Sequence, residues 1–322
     1  MSIRTLAWVV TILLRPLAMT QSSGPDGVAA CGDQLVVPVT IVDKESSVLM
    51  HDLTPGAFHI RINGHEISPV GVTLPTEPPR FVLLIDTSGS MYDSDSKWRL
   101  TRAIAEQAAR TAASDSKISV FTFTEQIAPI PRTAPENIIQ DIQRAFPGKA
   151  PPKARTSLFD AVAQGAAAIE DPRPGDTILV ITDGGDNRSK SSARHIESSL
   201  VSRGIRLSSI LLLGGTQTPE ERIGEEMLAE LVDRTGGMSM SIGASGTTYA
   251  SFGGPSFENS RKHLPKVLAN VSGMVATLIR SQSLEIQRPP AMKRRDLKLE
   301  YRSPQGGKVE MYYPKFVYPC GQ

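Results

Sequence analysis

Asp86, Ser88 and Ser90 alternate with Thr87 and Gly89 in the stretch Phe81-Val-Leu-Leu-Ile-Asp86-Thr-Ser88-Gly-Ser90-Met91. One carboxylate and two hydroxyls at that spacing can converge on one point, and an all-oxygen set of this kind suits a hard divalent cation. Mg²⁺ wants octahedral oxygen ligands and dehydrates reluctantly, so it keeps waters and needs few carboxylates. The element that must position these oxygens is the run before them. Five apolar residues, Phe81 to Ile85, lie between Pro78-Pro79 and a Ser/Gly turn, which predicts a strand buried on both faces as in parallel sheets. Its C-terminal end is where open α/β sheets bind ligands.

Asp-x-Ser-x-Ser behind a buried strand resembles the metal-ion-dependent adhesion site of von Willebrand factor A domains. In that family a Thr opening a later helix and an Asp ending a later strand complete the site. Matching segments follow in the expected order: Arg155-Thr156-Ser-Leu-Phe-Asp160 and Ile178-Leu-Val-Ile-Thr-Asp183-Gly-Gly-Asp186-Asn. The resemblance therefore implies Mg²⁺ (or Mn²⁺) held by Asp86, Ser88, Ser90, Thr156 and Asp183, with the open position taken by an Asp or Glu of a protein partner. The chain departs from the pattern at Ala154-Arg155, where family members commonly carry Gly-Gly. Arg155 and Asp186 are then candidates for the ligand rim. Asp93 and Asp95 are either solvated loop carboxylates or part of a second cation position.

From residue 80 to about 282, apolar strand runs alternate with helical periodicity, which predicts βα units around a mainly parallel sheet. Helices are expected over Trp98–Ser114, Pro135–Phe146, Thr156–Glu170, Ser191–Arg203, Pro219–Thr235 and His263–Gln282. The intervening runs supply six strands, the complement of the family's doubly wound, Rossmann-like α/β fold. Both ends of the chain read as β. Leu35–Val42 is a strand that Pro38 pushes toward an edge or a bulge, Asn63-Gly64 is a hairpin turn, and alternation returns at Leu297–Tyr301 and Val309–Tyr313. Neither end can bury a face alone, so the expectation is a small β-sandwich of residues 32–78 and 284–320 with the adhesion-type domain, 79–283, inserted in it. That layout is similar to bacterial secreted proteins related to von Willebrand factor A, described chiefly from acidobacteria. The Gly/Ser/Thr-rich stretch 243–260 is either disordered or a loop that touches a partner.

At 322 residues with a formal charge of +2, the chain is large enough for two domains and shows no electrostatic footprint for nucleic acid. Arg4 followed by the apolar run Leu6–Leu14 resembles a secretory signal over residues 1–21, too short to span a bilayer. The expected location is secreted or periplasmic. The two cysteines, Cys31 and Cys320, then read as a disulfide joining the termini; two separate thiols, or a lipidation box at Val28–Cys31, are the alternatives.

Competing chemistries have less to stand on. Phosphohydrolases of the haloacid dehalogenase type place a second Asp two positions after the first, where this chain has Ser88. Aspartic proteases need Asp-Thr/Ser-Gly twice in an all-β chain. The five histidines show no ligand spacing, and neither a nucleophile elbow nor a phosphate loop is present. The expectation is a non-enzymatic interaction module, with metal-independent scaffolding as the alternative.

Overall fold

A computed structural model describes residues 33–92, 95–131, 134–146, 154–213, 218–243, 260–288 and 294–318. The chain opens with β1 (Gln34–Asp43), β2 (Phe58–Ile62), β3 (His65–Ile67) and β4 (Pro69–Thr73). It continues through β5 (Arg80–Asp86), α1 (Asp95–Asp115), β6 (Lys117–Phe123), β7 (Ile127–Pro129), α2 (Ile138–Ala145), α3 (Leu158–Ala167), β8 (Thr177–Thr182) and α4 (Ala193–Ser202). After β9 (Arg206–Leu213), α5 (Pro219–Thr235), β10 (Ser239–Gly243) and α6 (Ser260–Ile279) come β11 (Gln282–Gln287), β12 (Arg295–Tyr301), β13 (Val309–Tyr312) and β14 (Phe316–Val317).

The central sheet has the order β10-β9-β8-β5-β6-β7, parallel except for β7. Every residue of β5 after Arg80 is buried, as its unbroken apolar run requires. Strand periodicity sends Phe81, Leu83 and Ile85 into one apolar layer with α1, α2 and α6, and Val82 and Leu84 into the other with α3, α4 and α5. This is the doubly wound α/β arrangement. The chain leaves β5 toward β6 on one side and later fills β8 on the other, so the carboxyl ends of β5 and β8 flank the point where strand order reverses.

Two four-stranded sheets, β13-β1-β11-β4 and β14-β12-β2-β3, each mix strands from both ends of the chain. They face one another across a shared core that includes Val39, Ile41, Ile60, Ile62, Leu284 and Leu299, a sandwich closed only when the C-terminal strands return. The β2–β3 loop is the two-residue Asn63-Gly64 turn with φ of 50° and 83°, both positive, as a turn matching the strand twist needs.

Three local expectations change. β1 lies inside its sheet, but over Gln34–Val39 it pairs only with β11, and β13 joins from Thr40 onward. Pro38, which has no N–H to give, thus sits where β1 has one neighbour. The return from the Asn63-Gly64 turn is cut in two at Pro69, so that β3 stays with β2 while β4 crosses to the other sheet. The last helix ends at Ile279, three residues before the expected Gln282, and Gln282–Gln287 is the strand β11, between β1 and β4.

Two buried polar groups tie the sandwich to the α/β layers. Arg206, fully buried at the start of β9, donates to Thr40 Oγ1 at 2.8 Å and to the Leu278 carbonyl at 2.6 Å. Glu197 of α4 accepts from Arg234 (2.7 Å), Arg294 (2.9 Å) and the Tyr318 hydroxyl (2.5 Å). Burial pushes the Glu197 carboxyl up, but hydrogen bonds from Tyr318, Arg234 and Arg294 outweigh it and hold the pKa below its usual range.

Candidate metal centre

β5 delivers Asp86 to the rim fully buried. One carboxylate oxygen accepts the Ser88 backbone N–H at 2.8 Å and the other accepts the Thr182 hydroxyl at 2.6 Å, so the last residue of β8 buttresses the last residue of β5. The chain then turns through a short 3-10 segment, Gly89–Tyr92, which leaves the hydroxyls of Ser88 and Ser90 only 3.3 Å apart. Asp183 follows β8 directly and its carboxylate accepts the Gly185 N–H at 3.3 Å. Gly184 adopts φ +92° there, and its carbonyl packs so closely on α5 that a Cβ at Gly224 would lie 1.9 Å from it.

The Thr156 segment is stitched to both strand ends. Gly89 N–H donates to the Ala154 carbonyl at 3.0 Å, Ser157 N–H to the Thr124 carbonyl at 2.9 Å, and Thr156 exchanges bonds with Asn187 through both its N–H and its carbonyl. Asp86, Ser88, Thr156 and Asp183 are buried and Ser90 is half-buried, all at the switch point of the sheet. Arg155 is exposed on the same segment. Asp186 is half-buried; one carboxylate oxygen accepts the N–H groups of Leu158 and Ser189, both at 3.3 Å, so it ties the β8–α4 loop to the start of α3. Asp160 does the same from the other side by accepting from Lys190 and Ser191.

Lys97 was not anticipated. α1 begins at Asp95, three residues before the helix expected from periodicity, and this places Lys97 in its first turn. Helical side chains lean toward the N-terminus, and Lys97 Nζ reaches back to Asp183 Oδ2 at 2.6 Å and to the Ser90 carbonyl at 3.0 Å. Lysine is among the residues least often buried, and its contact to Asp183 spans 86 positions of chain, so no local signal points to it.

The charges at the rim are only partly balanced. Burial, and then the neighbouring charge of Asp183, push the Asp86 carboxyl up from 3.8 to about 7, against the hydrogen bonds from Ser88 and Thr182. Those donors are neutral, whereas Asp183 has the Lys97 ammonium. Among the described residues no cluster of three or more His, Cys, Asp or Glu side chains could hold a metal ion; the oxygens those residues offer a cation at this rim are two carboxylates and hydroxyls. That is a hard-oxygen set, which fits Mg²⁺ or Mn²⁺ in kind.

Several sequence expectations fall outside the described residues: the leader at 1–21, Cys31 and Cys320 with their bridge, Asp93, and residues 244–259 of the Gly/Ser/Thr-rich stretch. Of Asp95 only the helical backbone is described. Among the described residues no helix is long and apolar enough to cross a membrane.

The family model described as "VWA domain containing CoxE-like protein" matches residues 61–228, just over half of the chain. No curated protein matches. Among solved structures, similar chains include a von Willebrand factor type A protein from Catenulispora acidiphila, at 13% identity over 89% of this chain and 73% of that one, with a TM-score of 0.46. The conserved hypothetical protein BatB from Bacteroides thetaiotaomicron shows 15% identity, coverage of 61% and 98%, and a TM-score of 0.43. Proximal thread matrix protein 1 of the mussel byssus shows 13% identity, coverage of 67% and 49%, and a TM-score of 0.43.

Proposed function

The chain belongs to the VWA domain containing CoxE-like protein family, and on that premise we propose that it is an exported, non-enzymatic protein-interaction module with a divalent-cation site. Asp86, Ser88, Ser90, Thr156 and Asp183 are the residues that would hold Mg²⁺ or Mn²⁺. A bound ion would supply a positive centre at the rim to which an Asp or Glu of a partner protein can bind.

The observation that carries this reading is the meeting of two buried carboxylates and two hydroxyls at the carboxyl ends of β5 and β8, with Asp86 hydrogen-bonded, among the described residues, by neutral donors. A buried carboxylate without a cation is unfavourable, and an ion beside it would relieve that. The remaining residues keep the set in place: Thr182 fixes Asp86, Asn187 fixes Thr156, and the Gly184 turn fixes Asp183. Exposed Arg155 adds positive charge near the mouth, in the sense that favours an acidic partner.

The test is thermal unfolding of the purified chain with MgCl₂ or MnCl₂ against EDTA. Wild-type protein should melt at a higher temperature with the ion, and Asp86→Ala should lose that shift. No shift in the wild type, or an equal shift in Asp86→Ala, refutes the site. A scaffold acting through the sandwich alone would capture its partner equally well in EDTA. Export is tested by fractionation and N-terminal sequencing, which should find the chain outside the cytoplasm without residues 1–21; a cytoplasmic chain that retains them refutes it.

A further inference from the structure

The ammonium of Lys97 lies within the proposed ion site but has no part in that reading. Its side chain is only 6% exposed, and both of its hydrogen-bond acceptors named above, Asp183 and the Ser90 carbonyl, belong to residues of the ion-holding set. An ammonium and a divalent ion placed on the same carboxylate repel one another, and neither can be well solvated there. The lysine's position is also poor in itself. The first turn of a helix carries the positive end of its dipole, so α1 opposes a cation that Asp183 attracts. A long, flexible stem lets such a group leave without moving the backbone.

We infer that Lys97 is a displaceable internal cation: it neutralises Asp183 when no metal is bound and gives up that carboxylate when a divalent ion enters. The lysine thereby sets the ion affinity of the site and allows the chain to fold without metal. This rests on the metal reading above. Trp98, next in sequence, stacks on Tyr92 with ring centroids 3.7 Å apart and meets Phe146 at 4.5 Å, so rearrangement of this turn has an optical reporter.

The experiment is calorimetric titration of the full chain with MnCl₂ for wild type, Lys97→Met and Lys97→Gln. Gln keeps a donor for Asp183 without the charge, and it serves if the Met variant fails to fold. Both variants should bind Mn²⁺ at least about tenfold more tightly than wild type, the equivalent of 1.4 kcal/mol. In a Trp8→Phe background, which leaves Trp98 the sole tryptophan, saturating MgCl₂ should change the emission of the wild-type Lys97 chain more than that of Lys97→Met. Equal or weaker Mn²⁺ binding by the variants, with wild-type binding intact, overturns the inference and leaves the metal site standing. No binding by any of the three removes the metal site and the inference together.

Discussion

Asp86→Asn isolates the electrostatic cost built into the rim. The substitution keeps the shape: the amide oxygen can still accept the Ser88 N–H, and the amide nitrogen can donate to Thr182 Oγ1 in place of the bond Thr182 now gives. What it removes is a charge in a fully buried position whose pKa stands at about 7 rather than 3.8. A raised carboxyl pKa means that between those two values the folded state holds a proton the unfolded state has released. Stability without metal therefore falls as pH rises from about 4 to about 7, and levels off above. The shift corresponds to about 4 kcal/mol at pH 8. Imperfect replacement of the Thr182 hydrogen bond takes back about 1 kcal/mol. In EDTA at pH 8, Asp86→Asn should thus be roughly 3 kcal/mol more stable than wild type by urea unfolding, and near pH 4 the advantage should vanish. With MgCl₂ at pH 8 the wild type should recover and the variant should not respond. A variant less stable than wild type at pH 8, or an advantage independent of pH, would refute the electrostatic account of the rim.

Two further substitutions probe the supports. Gly224→Ala puts a methyl group 1.9 Å from the Gly184 carbonyl, so the turn that carries Asp183 must shift; overpacking of this kind costs about 1–3 kcal/mol. Urea midpoints and the Mg²⁺-dependent melting shift should both fall, and an unchanged midpoint would show that the turn yields freely. Glu197→Gln leaves Arg234, Arg294 and Tyr318 facing an uncharged amide at the junction; because both arginines are about a third exposed, the loss should be about 1–3 kcal/mol. Because the Glu197 pKa is held low, its contribution is present above the ordinary carboxylate range and lost as pH falls through the folded value. The variant should accordingly show a flatter acid limb in stability against pH, and a limb as steep as that of wild type would contradict this.

Where local chemistry carries the information, the residues state it outright. The apolar run before Asp86 could only be a strand covered on both faces, Asn63-Gly64 could hardly be other than a two-residue turn, and the Asp86, Thr156 and Asp183 segments sit at the strand ends and helix approach that their flanking patterns imply. Period and turn chemistry are properties of a few neighbouring residues, so they can be read without knowing the partner surfaces. The pairing of β1, the crossing of β4 to the second sheet and the role of Gln282–Gln287 as a strand lying between β1 and β4 were hidden, because each depends on segments more than two hundred residues away. The same holds at the rim. The oxygens proposed for the ion follow from the Asp86–Ser90 spacing and from the family resemblance, whereas the Lys97 ammonium on Asp183, and Gly224 beneath the Gly184 turn, exist only because strand order brings α1, β8 and α5 to one edge of the sheet. Side-chain type specifies what a group can bind; only tertiary packing determines which charge it meets.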